Sequence, residues 1–277
     1  MVFRPRIPPH PALRPYVRHY LLLHVQMHGV PLNQRIKPIP PDADQSLFFY
    51  PRSSVNAIIN STAESRTSAA SIFVGQQTSR INIQFGDDHL IIQVCFQPGF
   101  LYKLLGKIPI NSFQNEEMNA EYLTDTGMKD LNEQLREETD YGRMIGRIEA
   151  YLLKKLARLR PEILPIDKVI LALKDTHQPL SLDWLADQAC LSPRQLERKF
   201  QERMGVSPKF YARIARFDRA FKLKQQQPQL DWHDVAYTCG YFDYSHMMRD
   251  FRQFAEVPPS MLLAQDMASP DWGNRFS

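Results

Sequence analysis

The last hundred residues of this chain contain one two-helix pattern written twice, and this duplication limits the folds open to it. The first copy carries, in order, Ser181, Leu185, Ala186, Arg198, Phe200, Val206 and Pro208. The second copy carries, in the same order, Asp231, Val235, Ala236, Arg249, Phe251, Val257 and Pro259. The copies are offset by 50 residues through the first helix and by 51 from the arginine onward. The pattern therefore predicts two helix–turn–helix units, the second with a turn one residue longer.

Cap residues mark the start of each predicted helix. Ser181 and Asp231 can accept a hydrogen bond from the free backbone N–H groups of the first helices, and Ser192 and Asp243 can do so for the second helices. Pro193 takes a first-turn position, where a missing N–H costs nothing. Leu185-Ala186 and Val235-Ala236 are expected to face inward.

The second helix of each unit has a buried side and a polar side. Burial is predicted for Leu196, Phe200, Met247 and Phe251. The polar positions, which we predict contact DNA bases, are Arg194, Glu197 and Arg198 in the first copy and Ser245, His246 and Arg249 in the second. Arginine matches the O6 and N7 edge of guanine, and glutamate can accept from cytosine N4. Either arginine could instead bind phosphate or an acid, and Glu197 could pair with a neighbouring arginine.

Basic residues cluster around these helices, although the net charge of the whole chain is only +4. Residues 194–224 contain ten basic and three acidic side chains, which favours phosphate binding. The predicted phosphate contacts are Lys199, Arg203, Lys209 and Arg252, with plain solvent-facing charges as the alternative. A long helix at 208–226, with Tyr211, Ile214, Ala215 and Ala220 inside, would hold the two recognition helices roughly 34 Å apart, one turn of DNA.

The first hundred residues are typical of an antiparallel β barrel or sandwich. Short apolar runs occur at 46–50, 57–60, 71–75, 80–85 and 90–96, separated by turn-prone residues. A short helix is predicted at 100–105, and an apolar stripe at helical spacing follows within 141–160. The stripe either packs on its own barrel or forms a homodimer seam. The fold class is therefore α+β, with a regulatory domain at 1–160, a linker at 161–166, a helical domain at 167–266 and a tail at 267–277.

The segment from Val169 to Leu263 resembles the DNA-binding domain of the AraC/XylS family of bacterial transcription regulators. The resemblance depends on Leu185-Ala186, Leu191-Ser192, Leu196-x-Arg198-x-Phe200, Gly205-Val206-Ser207-Pro208, Gly240-Tyr241-x-Asp243-x-Ser245, Arg249-x-Phe251 and Val257-Pro258-Pro259. It implies binding to double-stranded DNA and contact with RNA polymerase. Two positions depart from the family pattern: Glu256 replaces the usual glycine, which weakens the turn, and Tyr241 replaces the usual phenylalanine.

The N-terminal half resembles, with less detail, the cupin-like sensor domain of many such regulators. The matching pieces are Pro15-Tyr16-Val17-Arg18, Phe73-Val74-Gly75, Phe96-x-Pro98-Gly99 and Leu104-Leu105-Gly106. The resemblance implies that this domain binds a small effector or mediates dimerisation, without saying which. Whether transcription is raised or lowered also does not follow, although the family includes activators.

Other classes of function find little support in the residues. His24 and His28 lie four apart on a predicted strand, about 13 Å from each other, which is too far to share a metal ion. We expect no metal and no cofactor. An enzyme on a cupin barrel would need a metal triad or an activated nucleophile, and no such motif occurs. An architectural DNA binder without a sensor role is the third alternative.

Localisation follows from the same kind of evidence. No run of about 18 apolar residues and no signal core occurs, so we expect a cytoplasmic protein without membrane contact. Cys95, Cys190 and Cys239 form no close pair in the sequence, and we interpret all three as buried structural residues.

Overall fold

The computed structural model describes residues 2–59, 64–113, 118–176, 180–269 and 271, and the side chains of residues 2–5, 59 and 64 are not described. Asn60, predicted to end a strand, and residues 270 and 272–277 of the predicted tail lie outside the described residues. The predicted α+β class is confirmed. The N-terminal part consists of antiparallel sheets with flanking helices, and the C-terminal part is helical.

Among the described residues of the N-terminal part, ten strands form two antiparallel sheets. They are β1 (Val2–Ile7), β2 (Val17–Gln26), β3 (Ile36–Ile39), β4 (Ser46–Phe49), β5 (Asn56–Ile59), β6 (Glu64–Thr67), β7 (Ser71–Val74), β8 (Ile81–Gln84), β9 (Asp88–Phe96) and β10 (Met118–Asn119). The six-stranded sheet has the order β1-β2-β9-β4-β7-β10, and the four-stranded sheet has the order β3-β8-β5-β6. The long pair β2–β9 runs from Val17 opposite Phe96 to Gln26 opposite Asp88.

Each of the five apolar runs that predicted strands overlaps one observed strand, although β5 and β9 begin one and two residues before their runs. The sequence did not predict β3, because Pro38 in its centre lacks a donor for a sheet. The proline is tolerated because β3 lies at an edge of its sheet. Pro38 is opposite Asn82, and no strand of the described part of the chain pairs with the outer side of β3.

Helices α1 (Phe100–Leu104), α2 (Ala120–Leu123), α3 (Gly127–Glu137) and α4 (Tyr141–Leu159) complete the N-terminal part. The apolar stripe of α4 packs into the same core as the six-stranded sheet, with Met144, Ile148 and Leu152 almost fully buried. Most of the stripe therefore packs within its own domain, whereas Leu159 at the end of α4 is 38% exposed.

The C-terminal part contains α5 (Pro165–Asp175), α6 (Leu182–Gln188), α7 (Pro193–Met204), α8 (Pro208–Gln226), α9 (Trp232–Thr238), α10 (Tyr244–Ala255) and α11 (Pro259–Met267). Each helix–turn–helix unit has its own core, and α8 contributes to both. Tyr211 and Ala215 pack in the first core, whereas Ile214 and Phe217 pack in the second. One continuous helix therefore joins the two units.

The two parts of the chain are docked through buried contacts. The Tyr211 hydroxyl donates to the carbonyl of Ala43 at 3.0 Å, and the Gln45 amide donates to the carbonyl of Arg203 at 2.9 Å. Lys174 on α5 and Arg18 on β2 both pair with Asp44. Lys103 on α1 pairs with Asp167 on α5 at 2.5 Å. Polar groups from both domains thus meet in the same interface.

Candidate nucleic-acid interface

Both helix–turn–helix units begin and turn where the cap residues predict. The backbone N–H of Trp184 donates to Ser181 Oγ at 3.2 Å, and that of His233 donates to Asp231 Oδ1 at 2.7 Å. The second helices are capped in the same way, with Gln195 N–H on Ser192 Oγ at 3.3 Å and His246 N–H on Asp243 Oδ1 at 2.7 Å. All four predicted caps are present, so the sequence fixes the entry of each helix locally.

The faces of α7 and α10 that were predicted to be buried pack into the cores of their helix–turn–helix units. Leu196 and Phe200 of α7 have no exposed surface, and neither have Met247 and Phe251 of α10. The Phe251 ring lies edge-on to Phe217 of α8, with ring centroids 4.7 Å apart. Because one side of each helix is fixed in its core, the opposite side is directed away from it.

The predicted base-contacting residues of α7 lie on that opposite side. Arg194, Glu197 and Arg198 are exposed and occupy adjacent positions on the helix surface. Arg198 donates to Glu202 at 2.8 Å, yet 65% of its side chain remains exposed. Such an exposed pair contributes little stability, so the guanidinium can exchange this carboxylate for another acceptor at small cost.

The corresponding residues of α10 are arranged similarly. Ser245 and Arg249 are exposed and lie one turn apart. His246 is half-buried because its ring lies edge-on to Tyr241 at 5.7 Å. The structure thus brings each predicted trio onto one helix surface, although His246 is partly engaged in the protein.

Of the predicted phosphate contacts, Lys209 and Arg252 are exposed and Lys199 is half-buried. The prediction that Arg203 contacts phosphate does not fit its position in the structure. Its residue exposure is 6%, and its guanidinium lies over the Tyr102 ring, 4.9 Å from the centroid, and 3.8 Å from Asp167. Sequence spacing put Arg203 on the basic side of α7, but docking of the N-terminal domain covers that end of the helix. Arg203 therefore belongs to the domain interface in this structure.

The charge count of residues 194–224 also overstates the cations free for phosphate. Arg213 and Arg216 of α8 both approach the buried carboxylate of Asp250, at 2.7 and 3.6 Å. Lys222 pairs with Asp218, and Lys224 donates to the backbone carbonyls of Pro228 and Leu230. These cations hold helices and turns together, which a count of charges along the sequence could not show.

The N-terminal domain docks away from the predicted recognition surfaces. Its contacts fall on α5, on the C-terminal end of α7, on Tyr211 at the start of α8 and on the region of α11. Arg80, for example, donates to Gln265 at 2.7 Å. The outward sides of α7 and α10 remain uncovered among the described residues. Sequence reasoning missed this interface because its partners lie far apart in the sequence, 64 positions for Lys103 and Asp167 and 168 for Ala43 and Tyr211.

The turns of the two units use left-handed backbone positions. Gly240 has φ +75° in the second unit, and Cys190 takes the same place with φ +54° in the first. After the second helices, Gly205 has φ +81° and its counterpart Glu256 has φ +62°. The turn at Glu256 thus keeps the geometry of Gly205 although glutamate replaces the usual glycine.

Cys190 is exposed, so its interpretation as a buried residue was wrong, whereas Cys95 and Cys239 are buried.

Within the described residues there is no group of three or more His, Cys, Asp or Glu that could hold a metal ion. His24 instead contacts Asp88 at 2.5 Å and the Tyr141 hydroxyl at 2.8 Å. None of the described helices combines the length and apolar character needed to cross a membrane.

Comparison with known proteins gives two family matches. Residues 185–265 match a helix-turn-helix domain family, and residues 5–119 match a domain of unknown function (DUF6597). The first range begins within α6 at Leu185 and ends within α11 at Gln265, so it covers most of the first helix–turn–helix unit and all of the second.

Two curated relatives are bacterial regulators. The HTH-type transcriptional regulator GbdR of Pseudomonas aeruginosa is 32% identical over 129 residues, 47% of this chain and 33% of GbdR. The HTH-type transcriptional activator RhaS of Escherichia coli is 31% identical over 87 residues, 31% of each chain. This chain thus spans about one third of the length of these relatives.

A solved structure of ToxT from Vibrio cholerae aligns with 89% of this chain and 98% of its own, at 14% identity and a TM-score of 0.49. The sequence relatives are transcriptional regulators, not enzymes. The residues of the helix-turn-helix match include α7, α9 and α10 and the second half of α6. The chain therefore carries an AraC-type helix–turn–helix domain and is homologous to AraC-family regulators.

Proposed function

We propose that this protein is a sequence-specific, DNA-binding transcriptional regulator that inserts α7 and α10 into two successive major grooves. The observation that carries the proposal is the pair of capped, outward-facing helices joined by the single helix α8. Because α8 packs into both cores, the two recognition surfaces are held as one unit. In helix–turn–helix proteins such helices read base edges in adjacent grooves about 34 Å apart.

In this proposal Arg194, Glu197 and Arg198 read one half-site, and Ser245, His246 and Arg249 read the other. Lys199, Lys209 and Arg252 supply phosphate contacts at the edges of the interface. Arg198 and Arg249 carry most of the base discrimination, because an exposed guanidinium can bind guanine O6 and N7 together. The N-terminal domain (1–160) regulates the DNA-binding domain (167–266) across the linker predicted at 161–166, whose last two residues form the start of α5.

The domain interface offers a route for regulation. An effector, or a second copy of the chain, that binds one docked arrangement better than another would change how α7 and α10 are presented. Contact with RNA polymerase and residence in the cytoplasm belong to the same proposal. Homodimerisation through the apolar stripe of α4 has less support, since that stripe is packed in the core.

The proposal is tested by selecting genomic DNA fragments of the host on the purified full chain and measuring affinity for the recovered duplex at fixed salt. The double variant Arg198→Ala, Arg249→Ala should lose the preference for the selected duplex over random DNA. The control variant Arg136→Ala, Arg143→Ala removes two exposed arginines from α3 and α4 and should keep that preference. Retained preference in the first variant would refute the roles of Arg198 and Arg249.

The two-groove geometry has its own test. Insertion of about five base pairs between the two half-sites turns one groove to the opposite side of the helix, because B-DNA repeats every 10–10.5 base pairs. Binding should then fall to that of a single half-site. Unchanged affinity and an unchanged footprint would show that only one recognition helix enters the DNA.

A further inference from the structure

The turn of the second unit contains one residue that the first unit lacks, and the structure identifies it as Phe242. In the first unit the backbone N–H of Leu191 donates to the carbonyl of Ala186 at 3.0 Å. In the second, the N–H of Tyr241 donates to Ala236 at the same distance. Leu191 and Tyr241 are thus equivalent. The next residue of the first unit is the helix cap, whereas Phe242 intervenes before the cap of the second.

The two aromatic residues of this turn point in opposite directions. Tyr241 is 4% exposed, and the Arg216 guanidinium lies over its ring, 4.4 Å from the centroid. Phe242 is 93% exposed, the highest value among the exposed large apolar side chains of the described residues. With Tyr241 anchored inward, the extra residue is directed outward at the entrance of α10.

The surroundings of Phe242 are those of the proposed recognition surface. It directly precedes Asp243, the cap of α10, and is followed within the first turn by exposed Ser245. The N-terminal residues of a recognition helix are the ones that reach base edges in the major groove. In the major groove the base edges present mainly hydrogen-bonding groups. The C5-methyl group of thymine is the apolar group that a ring in this place can contact.

We propose that Phe242 packs against a thymine methyl group and so specifies a T·A pair in the half-site read by α10. This inference rests on the proposed function and adds a specificity determinant to it. Arg249, one turn further along α10, and Ser245 supply the polar contacts, whereas Phe242 supplies the apolar one. The first unit has no equivalent residue, so the two half-sites should differ in this requirement.

The test uses the full chain and the duplex selected from the host genome. Each thymine of the α10 half-site is replaced in turn by deoxyuridine, which removes only the methyl group. One replacement should weaken binding of the unchanged protein about fourfold, the effect of one buried methyl group. Phe242→Ala should bind the thymine duplex about as weakly, and should no longer distinguish thymine from deoxyuridine at that position, because the two changes remove the same contact.

Tyr237→Ala is the matched control, since Tyr237 lies on α9 of the same unit and is 87% exposed. This variant should keep the full deoxyuridine effect, and Phe242→Leu should keep part of it. An unchanged deoxyuridine effect in Phe242→Ala would overturn the inference while leaving the proposed function intact. Normal binding of the thymine duplex by Phe242→Ala would overturn it as well, since the ring would then contribute nothing to binding that duplex. If the chain selects no specific fragment, the proposed function itself fails.

Discussion

At the scale of single residues, the two units solve the same backbone problem with different side chains. Each needs a left-handed residue in the turn and another after the second helix. In the turn, the left-handed residue is Cys190 in the first unit and Gly240 in the second. After the second helix, it is Gly205 in the first unit and Glu256 in the second. A side chain in this conformation brings Cβ close to the following carbonyl and costs about 1–2 kcal/mol. Each unit therefore stores strain at one of its two positions.

Replacement of Cys190 by glycine should relieve that strain. We expect Cys190→Gly to raise the free energy of unfolding by roughly 0.5–1 kcal/mol, because the gain at positive φ exceeds the entropy lost by glycine. Urea denaturation under reducing conditions measures the change. Gly240→Ala is the mirror variant and should lower stability by a similar amount. A destabilised Cys190→Gly protein would show that Cys190 makes contacts worth more than the strain.

At the scale of helices, the placement of α10 on α8 depends on one buried acid. Asp250 has a side-chain exposure of 1%, and it accepts from Arg213 Nη2 at 2.7 Å and Nε at 3.1 Å. Arg216 lies 3.6 Å from its other oxygen. These arginines give the run of cations on α8 a structural role. The same contacts orient α10, whose outer side carries Arg249.

Asp250→Asn should therefore loosen the second unit without unfolding the first. The expected loss is roughly 1–3 kcal/mol, since a hydrogen-bonded charge is removed from a buried site while the arginines can regain water. Hydrogen exchange is the measurement: α10 amides should exchange faster, and α7 amides should not change. Asp187→Asn, an exposed acid of α6, serves as the control and should change neither. Equal acceleration in both units would mean that they do not open separately.

At the scale of the whole molecule, ionisable groups meet where the domains dock. Burial, followed by the charge of Asp44, raises the pKa of Asp42 to about 7. Burial also opposes ionisation of Asp44, but Lys174, Lys222 and Arg18 outweigh it and hold the pKa of Asp44 below its usual range. The two neighbouring carboxyls therefore prefer different protonation states near neutral pH.

The raised pKa of Asp42 predicts a pH dependence of stability. Between the unfolded value of 3.8 and about 7 the folded protein binds more protons at Asp42 than the unfolded chain, so this contribution falls as pH rises through that window. Asp42→Asn should abolish it. The free energy of unfolding of the variant, relative to that of the unchanged protein, should therefore be higher at pH 8 than at pH 5. Urea denaturation at both pH values tests the expectation, with Asp187→Asn, an exposed acid outside the domain interface, as the control. A constant difference between the Asp42→Asn variant and the unchanged protein would contradict it.

The sequence alone determined the features that depend on local spacing. Helix caps, the inward faces of α7 and α10, the joining helix and the strand-forming runs are set by residues within a few positions of one another, so their pattern is visible along the chain. The outward sides of α7 and α10 were predictable for the same reason, because a helix with one apolar side must direct its polar side outward.

Tertiary structure decided what long-range contacts control. It placed Arg203 under the N-terminal domain, joined Arg213 and Arg216 to Asp250, and set Asp44 between cations of two domains. A charge has the same appearance in the sequence whether it meets solvent, phosphate or a buried partner. Only the folded chain, which brings residues distant in the sequence into contact, distinguishes these three situations, because burial and pairing depend on the assembled core.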